Sequence, residues 1–205
     1  MPRPTQLILA SASPRRREIL SALGVDFEIV VPEVEEVRDG EPEEVVLENA
    51  RRKARAAREM AGEDASILGV DTEVVLDGRT LGKAIDSAAA RARLEALSGR
   101  THTVLSGISL LLPLTGEERR GVARSEVTFR PLDEATLTMY LASGEWRDRA
   151  GAYAVQGLGS VLVQRLDGDL SNVVGLPVRL LLELAPELVA QAGDFGSPSL
   201  QNPNS

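Results

Sequence analysis

The chain has no cysteine, one histidine (His102), one tryptophan, and aromatic residues at only 3% of its 205 positions. Without cysteine there is no disulfide, no thiol nucleophile and no zinc-finger module. One histidine excludes a His-rich metal site. A metal here would be held by carboxylates, which favours Mg²⁺ or Mn²⁺. Scarce rings leave the core to aliphatic side chains and count against a reader that stacks on single-stranded bases. Lysine is nearly missing: of 23 basic residues, only Lys53 and Lys83 are lysine and the rest are arginine. Positive charge is short overall, because 31 acidic residues bring the formal net charge to −8. That argues against general nucleic-acid binding, whose affinity comes largely from neutralising phosphates. No apolar run is long enough to span a bilayer, and the LILA run at 7–10 precedes its arginines instead of following them as in a signal peptide. The expectation is a soluble, cytoplasmic chain.

What is present is ordinary in bulk and specific in places. Apolar residues make up 43% and charged residues 26%, enough for one domain, or one domain with two lobes around a cleft. Residues 1–190 are expected to form it. The Gly/Pro/Ser/Asn-rich segment 191–205 is expected to be a disordered tail. Strand-like and helix-like segments interleave, so the fold class is α/β with a mixed sheet. LILA predicts a buried strand, and Ser13-Pro14 a helix start, with serine at the N-cap and proline at the first helical position. VDFEIVV (25–31) alternates like a strand. PEVEEVRDGEPEE (32–44) reads as an acidic loop, and VLENARRKARAAREMAG as a long helix ending at Gly62. SILGVDTEVVL (66–76) is a strand, and Asp77-Gly78 a hairpin that would pair 71–76 with 79–84. Asp86 starts the next helix. Two long strands turn near Thr115-Gly116, LDEATLTMYLASG is a helix, and a strand covers Val161 to Arg165. PVRLLLELAPELVAQ is a final helix with a proline inside it.

Four stretches could carry chemistry. In LILASASPRRREIL, three arginines stand in a helical first turn, where the helix dipole disfavours them. Either partner carboxylates or solvent compensate, or a polyanion sits over the N-terminal N–H groups. In GVDTEVVLDGRTLGKAID, Asp71 follows an apolar strand start and should be at least partly buried, so it needs a partner, a metal or hydrogen bonds. Lys83 lies twelve residues on, across the hairpin. The pair is either a structural ion pair or a carboxylate that activates water beside a lysine that offsets phosphate charge. In RAGAYAVQGLGS and GDLSNVVGLPV, glycines mark turns or close approaches, and the Gln156 amide could read a base edge. The run with Glu33, Glu35 and Glu36 is by itself a solvated acidic loop. His102 falls in a strand and reads as a core or edge residue.

LASASPRR, EVEE, NARRKA, GVDTEVVLDG…LGK..D, LSGRTHTV, AGAYAVQGLG and NVVGLP, in this order from about residue 7 to 182, resemble the Maf/septum-formation-inhibitor family of nucleotide pyrophosphatases. The resemblance implies a mixed, largely antiparallel twisted sheet flanked by helices, with two lobes around a central cleft. It implies hydrolysis of nucleoside triphosphates to the monophosphate and pyrophosphate with a divalent cation, and it suggests a homodimer. Asp71 looks like the catalytic proton acceptor. Ser11, Arg15 and Arg16 look like the phosphate-binding first motif, Glu36 like an acid that helps hold metal, and Lys53 and Lys83 like motif lysines near the phosphates. The positions that separate subfamilies map to Arg15, Thr72 and Gln156, a set similar to the dTTP/UTP type and unlike the 7-methyl-GTP type. The alternatives are that second type, or a non-catalytic inhibitor of septum formation that acts by binding. The chain departs from the family pattern at Val70, Ala84, Ala154 and Leu170-Ser171.

Overall fold

In the computed structural model, which describes residues 6–188, one seven-stranded sheet carries the fold. Its elements are β1 (Leu7–Ala10), α1 (Pro14–Ala22), β2 (Phe27–Ile29), α2 (Pro42–Ala61), β3 (Ser66–Leu76), β4 (Arg79–Thr80), α3 (Ser87–Leu97), β5 (Thr101–Leu111), β6 (Glu118–Phe129), α4 (Glu134–Ser143), a 3₁₀ helix (Gly157–Leu162), β7 (Val163–Asp167), α5 (Leu170–Val174) and α6 (Val178–Leu184). The strand order is β2-β1-β3-β5-β6-β7, with β4 paired to β3. β1 runs parallel to both β2 and β3, and the remaining pairings are antiparallel. The expected mixed α/β class, largely antiparallel, is therefore what the chain forms.

The long strand β3 explains the two lobes. Leu68 and Val70, at its start, pack with Leu9, Ile108, Leu176 and Leu181 into one core. Val74 and Leu76, at its end, join Leu94, Val127, Phe129, Tyr140 and Trp146 in another. Between them the strand reads Asp71-Thr72-Glu73, a polar interval that neither core absorbs. Neighbouring positions of a strand point to opposite faces, so Asp71 and Glu73 share one face and Thr72 the other.

Helix α2 covers the face of Asp71. Its contact side is small, with Asn49, Ala50, Ala54 and Ala57 buried. It lies so close that a Cβ at Gly69 would collide with the Ala50 carbonyl, and one at Gly107 with that of Val46. These two glycines let helix backbone rest on strand backbone, which brings Asn49 and Lys53, one turn apart, directly over Asp71.

Several boundaries differ from the sequence reading, each for a local reason. α2 begins at Pro42, inside the expected acidic loop, because Pro42 takes the first helical position and Glu43 and Glu44 suit the first turn. β2 is only three residues long, at the sheet edge. The hairpin after Asp77 pairs only Val75 with Thr80 and Leu76 with Arg79. Beyond that the chain peels away, and Lys83 bridges to Ala150 instead. The last strand starts two residues later than expected, after a 3₁₀ helix that was not foreseen, and the short α5 was also missed. The helix expected over 177–191 with a proline inside it is interrupted there: α6 ends at Leu184 with Ala185 as its C-cap before Pro186, and helical conformation resumes at Glu187 and Leu188, the last described residues. The expected tail lies outside the described residues.

His102 belongs to the second core. Only 2% exposed, its Nε2 lies 2.8 Å from the Tyr153 hydroxyl, and its ring meets Phe129 and Tyr153 edge to face. Nδ1 has no partner. Burial pushes the imidazole down to about 4 from 6.5. The folded value is the depressed one, so this stabilisation is complete above about pH 6.5. It is lost as the pH falls towards 4, where the unfolded chain takes up a proton that the native ring refuses. Denaturation measured across this window should lose roughly 3 kcal/mol to this residue. His102→Gln should remove that part of the slope, and an unchanged slope would show that the native ring is protonated.

Candidate active site

Asp71 is 6% exposed and fully engaged. Lys53 Nζ donates to its Oδ1 at 2.6 Å, and Asn49 Nδ2 donates to its Oδ2 at 3.2 Å. The same ammonium lies 2.7 Å from Glu36 Oε1, so it sits between two carboxylates. Asn49 also fixes the acidic loop. Its Oδ1 accepts from Val37 N at 2.7 Å, and its Nδ2 donates to Val37 O at 3.0 Å. A segment that reads as a solvated charge run is thereby tied to the sheet, and Glu36 is delivered to Lys53. Burial pushes the Glu36 carboxyl up, but the hydrogen bond and charge of Lys53, with Lys83 and Arg38 behind it, hold it below the usual range. Lys83 itself is exposed and reaches this group through its field on Glu36, not through an ion pair with Asp71.

Glu73 is a site residue that the sequence reading missed. Burial, then the charges of Asp71 and Glu36, push its carboxyl up to about 7, and its Oε2 is buried without a partner. The available clue was its spacing of two from Asp71 in a strand. For Asn49, the other omission, the clue was its spacing of four from Lys53 in a helix.

On the opposite face of β3 lies a second group. Arg16, 9% exposed, donates through Nε to Gly175 O at 2.8 Å, through Nη1 to Ser11 Oγ and Val70 O at 2.9 Å each, and through Nη2 to Thr72 Oγ1 at 3.2 Å. Burial lowers this guanidinium to about 10, which still leaves it charged at neutral pH. Thr72 Oγ1 also lies 2.8 Å from Ser106 Oγ. Ser11, Arg16 and Thr72 are thus joined in one network that ties β1, α1, β3 and the turn after α5 together.

Arg15, next along α1, is half-buried and donates only to Asp148 O, at 3.3 Å. Ser13 stands at the N-cap as expected, but its side chain makes no capping bond, and the first turn holds no acidic residue. The Ser13 N–H instead donates to Ser11 Oγ at 3.2 Å. The first turn of α1 therefore supplies no carboxylate of its own to its positive end. Gln156 is exposed at the N-cap of the 3₁₀ helix, where its side chain makes no capping bond. The structure joins Asp71, Lys53 and Glu36 in one cluster and Ser11, Arg16 and Thr72 in another. It does not bring Gln156 into contact with either.

Among the described residues, no three His, Asp or Glu side chains are arranged to hold a metal ion. Two carboxylates, Asp71 and Glu36, do face one cation position, now taken by the Lys53 ammonium. Mg²⁺ commonly binds through one or two carboxylates, with substrate phosphates completing its shell. The donor set fits an ion of that kind. No helix among the described residues is long and apolar enough to cross a membrane.

Residues 6–188 match the family described as Maf-like protein. A dTTP/UTP pyrophosphatase of Deinococcus radiodurans is 45% identical over 180 residues, covering 87% of this chain and 91% of the relative. A dTTP/UTP pyrophosphatase of Moorella thermoacetica is 47% identical over 181 residues, covering 88% and 93%. With a match that spans both lobes and the polar interval between them, this chain belongs to the Maf-like protein family.

Proposed function

We infer that this chain is a nucleoside triphosphate pyrophosphatase that converts dTTP and UTP to the monophosphate and pyrophosphate. The observation that carries this is Asp71, a buried carboxylate held at 2.6 Å by Lys53 in the polar gap between two apolar cores. The activity borne in the names of relatives at 45% and 47% identity supports the nucleotide class.

In this reading the triphosphate lies towards the uncapped N-terminus of α1, where backbone N–H groups and Arg15 meet its charge. Asp71 orients a water and accepts its proton. The water oxygen bonds to the α-phosphorus, the bridging bond to the β-phosphate breaks, and pyrophosphate leaves with the electron pair. Lys53 offsets charge as it develops and remains paired with Glu36 once Asp71 is protonated. Lys83 adds positive charge from the exposed side. Arg16 is a strut: four of its hydrogen bonds go to protein acceptors, so it holds the wall that carries Asp71 and Thr72. Mg²⁺ or Mn²⁺ would be held by Asp71 and Glu36, and when bound would neutralise phosphate charge. Most of the acceleration in such a reaction comes from positioning and fixed charge.

Pyrophosphate release measured against dTTP, UTP, 7-methyl-GTP, GTP and ATP with Mn²⁺ tests the reading. Release should be fastest with dTTP and UTP. Fastest release with 7-methyl-GTP would move the chain to the other substrate type, and no release with any nucleotide would overturn the activity.

A further inference from the structure

Arg149 lies on the connection between α4 and the 3₁₀ helix, at the head of the glycine-marked stretch RAGAYAVQGLGS. None of the ion pairs among the described residues includes Arg149, Arg15 or Lys83. The Arg149 Nε–H is buried and has no acceptor. A buried donor left unmade is costly, more so on a charged group, and such a group in a native fold marks a partner that the chain does not itself supply.

After burial, the charge of Arg149 does most to lower the Arg15 guanidinium, and Arg15 donates to Asp148 O, one residue before Arg149, at 3.3 Å. The carboxylates of Asp148 and Glu18 act in the opposite sense. The backbone enforces the arrangement. Asp148 and Ala152 take left-handed conformations, with φ 56° and 60°, which side chains of this kind adopt at a cost. Gly151 N donates to Gly82 O at 3.0 Å, and Ala150 bridges Lys83. On the other side, Asp148 O accepts from Arg15 at 3.3 Å. The segment is therefore pinned between the N-terminus of α1 and the loop that carries Lys83. Backbone strain, an unmet buried donor and two like charges on neighbouring segments all count against stability, and one polyanion bound by both arginines would relieve the last two.

We propose that Arg149 is a second phosphate-binding guanidinium, which with Arg15 grips the phosphate tail of the nucleotide from the lobe opposite α1. Its forked donors suit two phosphate oxygens at once. The identity of the ligand rests on the nucleotide reading above, whereas the anion site stands on the arginine pair itself.

Calorimetry with inorganic tripolyphosphate, on the full chain and on R149Q and R149K, separates the two, with dTTP turnover measured in parallel. The wild-type chain should bind tripolyphosphate. R149Q should weaken that binding by about 10- to 100-fold, and R149K should fall between, because it keeps the charge and loses the fork. Wild-type affinity in R149Q overturns the proposal, as does a wild-type chain that binds no tripolyphosphate. Should R149Q fail to unfold cooperatively, R149K decides, and affinity equal to wild type overturns the proposal. Binding that depends on Arg149 in a chain that releases no pyrophosphate from any nucleotide upholds the anion site and removes the pyrophosphatase reading.

Discussion

Asp71→Asn is expected to lower the turnover of dTTP by about 10²- to 10⁴-fold, the usual contribution of a general base. The change keeps the size of the side chain and its hydrogen bonding with Asn49, and Lys53 retains Glu36 at 2.7 Å. Stability should therefore stay within about 1 kcal/mol of wild type, since no buried charge is stranded. Steady-state pyrophosphate release and urea denaturation on the same preparation check both halves. A variant that unfolds normally and turns over near the wild-type rate would mean that another group takes the proton from water. Glu73, on the same face of β3, would be the next candidate.

Lys53→Met should have the largest effect on stability. It leaves Asp71, 6% exposed, with only the Asn49 amide and with Glu73 beside it on the same face. Removing one partner of a buried ion pair strands the other, at a cost of about 3–5 kcal/mol. Glu36 also loses its anchor, while Asn49 still holds Val37 in the acidic loop. The double variant Lys53→Met/Asp71→Asn should recover most of the stability, because no carboxylate is then left alone at the base of the site. Denaturation midpoints for the four chains give the coupling directly. A single-variant cost below about 1 kcal/mol would show the pair to be screened by water, as surface pairs are. The prediction that Asp71 works from a dry, fixed position would fail with it.

The two clusters divide the labour of the site. On the α2 face, Lys53 and Asn49 hold the carboxylate. On the other face, Arg16 ties Ser11, Val70, Thr72 and Gly175 into a wall. Thr72, which the family resemblance places at a subfamily-separating position, is bonded to Arg16 and Ser106. Any part it has in selecting the substrate therefore runs through the position of that wall. Gln156, exposed on the far lobe, remains available to a ligand in the cleft.

Much of this was legible in the residues alone. The alternation of small polar and apolar stretches in LILASASPRR marked a strand, a turn and a helix start, because proline and serine restrict the backbone locally. Asp86 and Asp133 cap the helices they precede, each accepting from a backbone N–H three residues on. The run Ser66 to Val70 put Asp71 where water is scarce, which was enough to say that it needed a partner. Local rules also failed where tertiary packing overrode them. The hairpin at Asp77-Gly78 closes for only two pairs, because the lobe beyond recruits Lys83 to Ala150.

What the sequence by itself determined is most of the longer elements, the burial of Asp71 and the family of motifs. These depend on neighbours in the chain, whose spacing is printed in the order of residues. What only the tertiary structure decided is which charge meets which. Lys53, 18 residues from Asp71, is its partner, where sequence had suggested Lys83. Arg16 spends its donors on acceptors up to 159 residues away. Arg149 is left with a buried, unanswered N–H, and its charge acts on Arg15. Electrostatic pairing depends on distance through space and on burial, and neither follows from sequence separation.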